Sequence, residues 1–246
     1  MAVELVDEGR LFRTREIWFA ERPYDVADCA SVTFRQCREK VDLDGFERAP
    51  FTTLVIDLTR DLDTVWQGLD AKSCRYKINR GAREGIEVAV SSDHALFDAL
   101  HRRFAAKKGL ESGGFDPARM QGHSTLFLAH HQGAVIAGQL YLHDAQHMRY
   151  LLGASERLGV GKEQRTLVGF ANRQLMWEAI KYAKARGMTE FDLGGYYTGD
   201  DPGDPRHGIN AFKRGFGGQL VTHYHYSKCY SPLYSLARAL YRLVPV

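Results

Sequence analysis

One long amphipathic helix, set between a predicted β-meander and a short strand, constrains the fold more than any other feature. Within residues 164–186 apolar side chains recur at helical spacing, at Val168, Ala171, Leu175, Ala179 and Tyr182. Before this helix, apolar runs on either side of Gly133 predict a hairpin that leads into a third strand at 148–155. After it, the sequence FDLGG at 191–195 predicts a short strand. This order predicts an α/β (α+β) fold with a central mixed, mostly antiparallel sheet flanked by helices.

The N-terminal third adds further strands and a helix. Residues 15–21 and 31–41 are rich in β-formers, and residues 52–58 read as a short apolar strand. Asp61 has the character of an N-cap, and it predicts one helix that runs from there towards Arg83.

Residues 94–108 show a helical pattern, and the glycine-rich residues 109–117 predict a loop. Leucines at helical spacing predict a C-terminal helix within residues 230–246. No internal repeat interrupts the chain, so we expect a single domain over residues 1–246, with residues 1–50 as a candidate reduced first subdomain.

Composition narrows the class of protein. The 246 residues are 44% hydrophobic and 26% charged, which is ordinary for a globular protein, and no segment approaches the ~20 uninterrupted apolar residues of a membrane span. We therefore expect a cytoplasmic protein with no stable membrane insertion. The four cysteines form no C-x-x-C pair, so reduced thiols are expected. The formal net charge of +3 is small, so a phosphate-bearing partner must be held by local basic clusters.

The most unusual segment is residues 191–218, in which glycines, prolines, acids, two tyrosines and a basic pair follow the short strand. A rigid loop that presents side chains at the end of a strand would use this composition. A long ordered connection whose residues only form turns would have the same composition.

Several motifs along the chain resemble the Fem family, the FemABX-like aminoacyl-tRNA-dependent aminoacyltransferases of the GNAT superfamily. They are the sequence Gly-Ala-Ser at 153–155, the long helix, the strand at 191–195, Phe212-Lys213 and Phe216-Gly217-Gly218, with Lys72 and Arg75 on the basic helix. The resemblance covers roughly residues 52–221 and implies a GNAT-like acyl-CoA N-acyltransferase fold.

Two residues are the predicted catalytic groups. The resemblance places Lys213 at the aminoacyl end of the tRNA, where a fixed cation would stabilise the carbonyl oxygen as it gains negative charge. Asp192 has two possible roles: it can deprotonate the incoming ammonium, or it can hold a neighbouring loop through backbone N–H groups.

The remaining candidates are substrate-binding residues. Basic residues on the predicted helix can hold a phosphate chain, although a solvated helix face explains them as well. Tyrosines after the short strand can stack on a terminal adenine or donate a proton to the leaving hydroxyl. The set comprises Lys72, Arg75, Arg80, Tyr196, Tyr197, Phe212, Arg214 and Phe216.

The resemblance implies transfer of an aminoacyl group from aminoacyl-tRNA to an amine of a small acceptor, either a peptidoglycan precursor or a peptide natural-product intermediate. Such a donor is already activated, so we expect no cofactor and no metal. Two alternatives stay open: an acyl-CoA-dependent N-acyltransferase and a non-catalytic RNA-binding module. Residues 157–161 are one residue shorter than the usual acetyl-CoA loop R/Q-x-x-G-x-G/A.

Overall fold

The computed structural model describes residues 2–9, 11–109, 118–120 and 122–241, in which ten strands and six α-helices are found. The strands are β1 (Val3–Glu8), β2 (Arg13–Trp18), β3 (Ser31–Cys37), β4 (Glu47–Asp57), β5 (Glu87–Ser91), β6 (Ser124–His131), β7 (Ala134–His143), β8 (His147–Ser155), β9 (Glu190–Gly195) and β10 (Gln219–Cys229). The helices are α1 (Leu62–Gly68), α2 (Tyr76–Arg83), α3 (His94–Lys108), α4 (Lys162–Ala185), α5 (Arg206–Arg214) and α6 (Pro232–Tyr241). A π-helical turn (Ala71–Arg75) precedes α2, and a 3-10 turn (Ala118–Met120) precedes β6.

The chain divides into two compact units, and the candidate site lies in the second. The first unit holds residues 1–53 and 221–246, with strand order β1-β2-β3-β10 and a core around Phe34 and Tyr226. The second unit holds residues 54–220, with strand order β4-β9-β8-β7-β6-β5.

In the second unit β8 and β9 are parallel, whereas β5, β6, β7 and β8 form an antiparallel series. This mixed sheet with its helices confirms the predicted α/β fold class. Helix α6 lies within the predicted 230–246, of which residues 242–246 are outside the described range, as are residues 110–117 of the predicted loop. The prediction of one domain stays a prediction.

The meander and its helix follow the predicted pattern. Gln132 and Gly133 connect β6 to β7 with φ angles of 50° and 78°, the left-handed pair that a two-residue hairpin turn requires. Helix α4 buries a stripe that includes Val168, Ala171 and Leu175, each 0% exposed, in the main core of the unit. Burying such a stripe contributes most of a helix's stability, because short helices are marginal alone in water.

The prediction of one helix from Asp61 to Arg83 was wrong. Asp61 does cap α1, since its carboxylate accepts the N–H of Thr64 at 2.8 Å, but the chain is extended again at Leu69 (φ −73°, ψ 139°). Asp70 then begins a second helical segment by accepting the N–H groups of Lys72 and Ser73. Two N-caps within ten residues therefore break the helix into α1 and the π turn that leads to α2.

The predicted loop at 191–218 contains a helix that the sequence reading missed. Helix α5 occupies Arg206–Arg214, directly after Pro205, so the proline stands at the helix start where its missing N–H is tolerated. The backbone N–H of Asp70 donates to the carbonyl of Gly215 at 2.9 Å, which ties the end of α5 to the start of the π turn.

Candidate active site

The centre of the site is Lys213, on the last turn of α5 beside the end of β9. Its side chain is 7% exposed, and its Nζ donates a hydrogen bond to the carbonyl oxygen of Gly195. A lysine is almost never buried to this extent without a function or a partner. The structure thus places the predicted catalytic lysine inside the unit, at the end of a strand.

Burial and neighbouring charges set the protonation of this lysine. Burial lowers the pKa of Lys213, the carboxylate of Asp192 raises it, and the charge of Arg149 lowers it, so that together they bring it to about 8. At neutral pH the ammonium form therefore dominates, although its proton is held far less firmly than that of a surface lysine.

Asp192 is held in place by a backbone N–H and by an arginine. Its Oδ1 accepts the N–H of Gly194 at 2.6 Å, and its Oδ2 lies 3.5 Å from Nε of Arg149. Arg149 on β8 is the register partner of Asp192 on β9, and both residues are less than 9% exposed. The structure thus brings Asp192 and Lys213 together, and it adds Arg149, which the sequence reading missed. An arginine inside the apolar strand MRYLLGAS was the available signal.

Two glycines, Gly194 and Gly153, make space for the side chains of Lys213 and Tyr150. Gly194 has a φ of 81°, and a Cβ there would lie 3.5 Å from Nζ of Lys213 and 3.7 Å from the Tyr150 ring. A Cβ on Gly153 would lie 2.1 Å from the hydroxyl of Tyr150. Only glycine allows the phenol to occupy that space, so the Gly-Ala-Ser motif serves to seat Tyr150.

Tyr150 borders Gly194 with its ring and its backbone carbonyl, while its hydroxyl lies against Gly153. Burial raises the pKa of Tyr150 to about 12, so its hydroxyl stays protonated at neutral pH. Its ring packs edge-on against Tyr141 at a centroid distance of 5.8 Å, and Tyr141 is itself completely buried. Lys213 and Tyr150 thus both border Gly194, and both can donate hydrogen bonds.

The tyrosines after β9 are fixed by α5. The side chain of Asn210 bonds both backbone groups of Tyr197, accepting its N–H at 3.0 Å and donating to its carbonyl at 2.7 Å. The guanidinium of Arg206 lies 3.9 Å from the centre of the Tyr197 ring. Tyr196 packs against the main core, and Arg214 lies 5.9 Å from the centre of its ring. Tyr196 and Arg214 are therefore neighbours, and their contact with substrate stays a prediction.

The two phenylalanines of the motif differ in exposure. Phe216 is 1% exposed and packs in the core, so any effect it has on substrate is indirect. Phe212 is half-buried, with its ring centroid 5.3 Å from that of Phe216, and the guanidinium of Arg173 lies 5.0 Å from its centre.

The basic residues that the sequence suggested as substrate-binding groups lie on other elements than Lys213. Lys72 and Arg75 lie on the π turn, and Arg80 lies on α2. Arg75 donates to the side chain of Gln67, and Arg80 pairs with Glu84 one helical turn away. Their proposed contact with substrate stays a prediction.

Within the described ranges, no group of three His, Cys, Asp or Glu side chains is placed to hold a metal ion. No helix in the same ranges is long and apolar enough to cross a membrane.

Several solved structures have the same fold as this chain. FemX aligns with a TM-score of 0.65 at 15% identity over 95% of this chain and 85% of that one. The C-terminal domain (DUF2156) of a putative lysylphosphatidylglycerol synthetase from Agrobacterium fabrum aligns with a TM-score of 0.58 at 15% identity, covering 97% and 84% of the two chains. L-PGS from Bacillus licheniformis aligns with a TM-score of 0.51 at 14% identity, covering 87% and 73%. The chain has the α/β fold that these proteins share.

The sequence makes the assignment more specific. The sequence model of the FemAB family matches residues 119–242, which is half of the chain and includes β6 to α6. The chain belongs to the FemAB family, and it is a transferase. No protein with curated annotation matches it in sequence.

Proposed function

We propose that this protein transfers an aminoacyl group from aminoacyl-tRNA to an amine of a small acceptor and so forms an amide. The observation that carries the proposal is the buried, hydrogen-bonded Lys213 at the end of β9, in a chain of the FemAB family. FemX and the lysylphosphatidylglycerol synthetases bear names that are consistent with aminoacyl transfer.

The arrangement of charges suits this reaction. As the acceptor nitrogen attacks the ester carbonyl, the carbonyl oxygen gains negative charge, and the ammonium of Lys213 can stabilise that charge in a site shielded from water. When the tetrahedral intermediate collapses, the carbon–oxygen bond to the tRNA ribose breaks and the ribose hydroxyl takes a proton. In this scheme Tyr150 supplies that proton and recovers it from the acceptor ammonium.

Asp192 has a positioning role in this scheme. Its carboxylate is already engaged by Gly194 and Arg149, so it holds the end of β9 and raises the pKa of Lys213 towards the charged form. The reaction as proposed needs no cofactor or metal, and the acceptor is a peptidoglycan precursor or a peptide natural-product intermediate. A cytoplasmic location belongs to the same proposal, because aminoacyl-tRNA is found there.

A donor screen tests the proposal. Purified protein is given radiolabelled aminoacyl-tRNAs or acyl-CoAs with a panel of amines, and labelled amide is measured. We expect product from tRNA donors, with a rate on the order of 10²–10³ lower in Lys213→Met because one oxyanion donor is lost. Lys181→Met removes a surface lysine that pairs with Glu178, and it is the matched control. Absence of product from every donor would favour an RNA-binding module without catalysis.

Coenzyme A is the second candidate donor, and one observation favours it. Helix α4 begins after Gly161 without a side-chain cap, so its first N–H groups are open to an anion such as a pyrophosphate. Product from acyl-CoA alone would reassign the donor while leaving the role of Lys213 intact.

A further inference from the structure

Helix α6, in the first unit, presents a row of leucines to solvent. Leu233, Leu236 and Leu240 are 66%, 57% and 56% exposed. Their spacing of three and four residues puts them on one face of the helix. A single exposed leucine is normal on a protein surface, whereas several on one helix face form a continuous apolar surface of the kind that binds another molecule. This surface is called the leucine face below.

A fourth exposed leucine lies beside the start of α6. The rings of Phe12 and Tyr234 pack edge-on at a centroid distance of 5.2 Å, which holds the turn between β1 and β2 against the first turn of the helix. Leu11, next to Phe12, is 86% exposed. Tyr234 thus anchors the helix to its unit, and Leu11 adds apolar surface at the anchored end.

The sequence of this segment is basic. Residues 230–246 contain Arg238 and Arg242 and no acid. At the end of β1, the carboxylate of Glu8 lies 2.8 Å from Nε of Arg13, so an arginine offsets its charge. An apolar helix face on a segment with basic and no acidic residues is the pattern of helices that lie on anionic lipid.

A second copy of this chain is a poorer match for the leucine face. The ten residues of α6 span about 15 Å at 1.5 Å per residue, so two such helices side by side bury less than the ~800 Å² per partner of a stable interface. Pairing two copies would also bring the arginines of both helices together, which costs energy. A lipid surface accepts each leucine separately and attracts the arginines.

We infer that the leucine face of α6 binds reversibly to an anionic lipid surface. The leucines enter the boundary between headgroups and acyl chains, and Arg238 stays with the lipid phosphates. The helix lies in the plane of the surface, because its ten residues are half of the ~20 that a membrane span needs. This inference does not depend on the proposed function, since α6 belongs to the first unit and Lys213 to the second.

Co-sedimentation of the purified full chain with lipid vesicles tests the inference. Vesicles of phosphatidylcholine with phosphatidylglycerol are compared with vesicles of phosphatidylcholine alone, and the bound fraction gives a partition coefficient. We expect binding to the anionic vesicles, weakened on the order of 10–100-fold in Leu236→Gln/Leu240→Gln and about fivefold in Arg238→Gln. Glutamine has nearly the helix propensity of leucine, so the double variant keeps α6 intact.

The matched control is Leu43→Gln/Leu220→Gln, which removes two exposed leucines outside α6 and should bind the vesicles as wild type does. Equal losses of binding in the two double variants would overturn the inference. A wild-type chain that does not bind anionic vesicles would overturn it as well. Sedimentation equilibrium tests the other occupant: a wild-type dimer that Leu236→Gln/Leu240→Gln converts to monomers would assign the leucine face to a second copy.

Discussion

Replacing Lys213 by methionine should stabilise the protein at neutral pH while lowering its transfer rate by a factor on the order of 10²–10³. The ammonium is buried, and burial lowers its pKa from 10.5 to about 8. Below pH 8 the lysine is charged in both the folded and the unfolded chain, so the folded state carries the full cost of about 3 kcal/mol, at 1.36 kcal/mol per pKa unit. Between pH 8 and 10.5 the folded protein has released the proton while the unfolded chain still binds it, so wild-type stability rises with pH. Methionine has a similar length and no charge, so the variant lacks this pH dependence.

The free energy of unfolding of both proteins, measured by urea denaturation from pH 7 to 9.5, gives the comparison. The stability advantage of Lys213→Met should shrink by about 2 kcal/mol over that range. Tyrosine and cysteine ionisation affects both proteins alike and cancels in the difference. A difference that stays constant across the range would refute the claim that the lysine is charged and poorly solvated in the folded state.

Three further predictions concern the surroundings of Lys213. Asp192→Asn removes the charge that raises the pKa of Lys213, so the fall of transfer activity with rising pH should move to lower pH, as initial rates across pH would show. Gly153→Ala puts a methyl group where the Tyr150 hydroxyl lies, so the transfer rate should drop to that of Tyr150→Phe; a wild-type rate would exclude the tyrosine from the mechanism. Asn210→Ala removes two hydrogen bonds from a residue that is 3% exposed, and urea denaturation should show a loss of about 1–3 kcal/mol.

The sequence predicted the secondary-structure elements whose apolar residues recur at regular spacing. The meander, α4 and the strand at β9 follow from repeated apolar spacing, and the turn between β6 and β7 follows from Gly133, whose φ of 78° suits glycine. Helix α5 was missed because it is short and lies among glycines and prolines, and its stability comes from tertiary contacts such as those of Lys213 and Asn210. The break between α1 and the π turn was missed because the sequence does not distinguish Asp70, which caps the π turn, from an ordinary acid on a helix surface.

The candidate site was predicted only in part, because local motifs can be seen in the sequence and contacts between distant residues cannot. Lys213 and Asp192 were found because a family motif marks them, and the structure brings them together. Arg149 is 43 residues before Asp192 in the sequence, and only the pairing of β8 with β9 makes them neighbours.

The side chain of Asn210 behaves like one residue of an additional β-strand, because its amide pairs with both backbone groups of Tyr197. Asn210 is also one turn before Lys213 on the same helix, so the root of the loop and the reacting lysine move as one piece. Asp201 and Asp204 belong to the same piece, because Nε2 of His207 lies 2.8 Å from the carbonyl oxygen of Asp201 and the backbone N–H of Arg206 donates to Asp204 at 2.8 Å. A change in the length of the loop before α5 would therefore reach Lys213 through the helix that carries it.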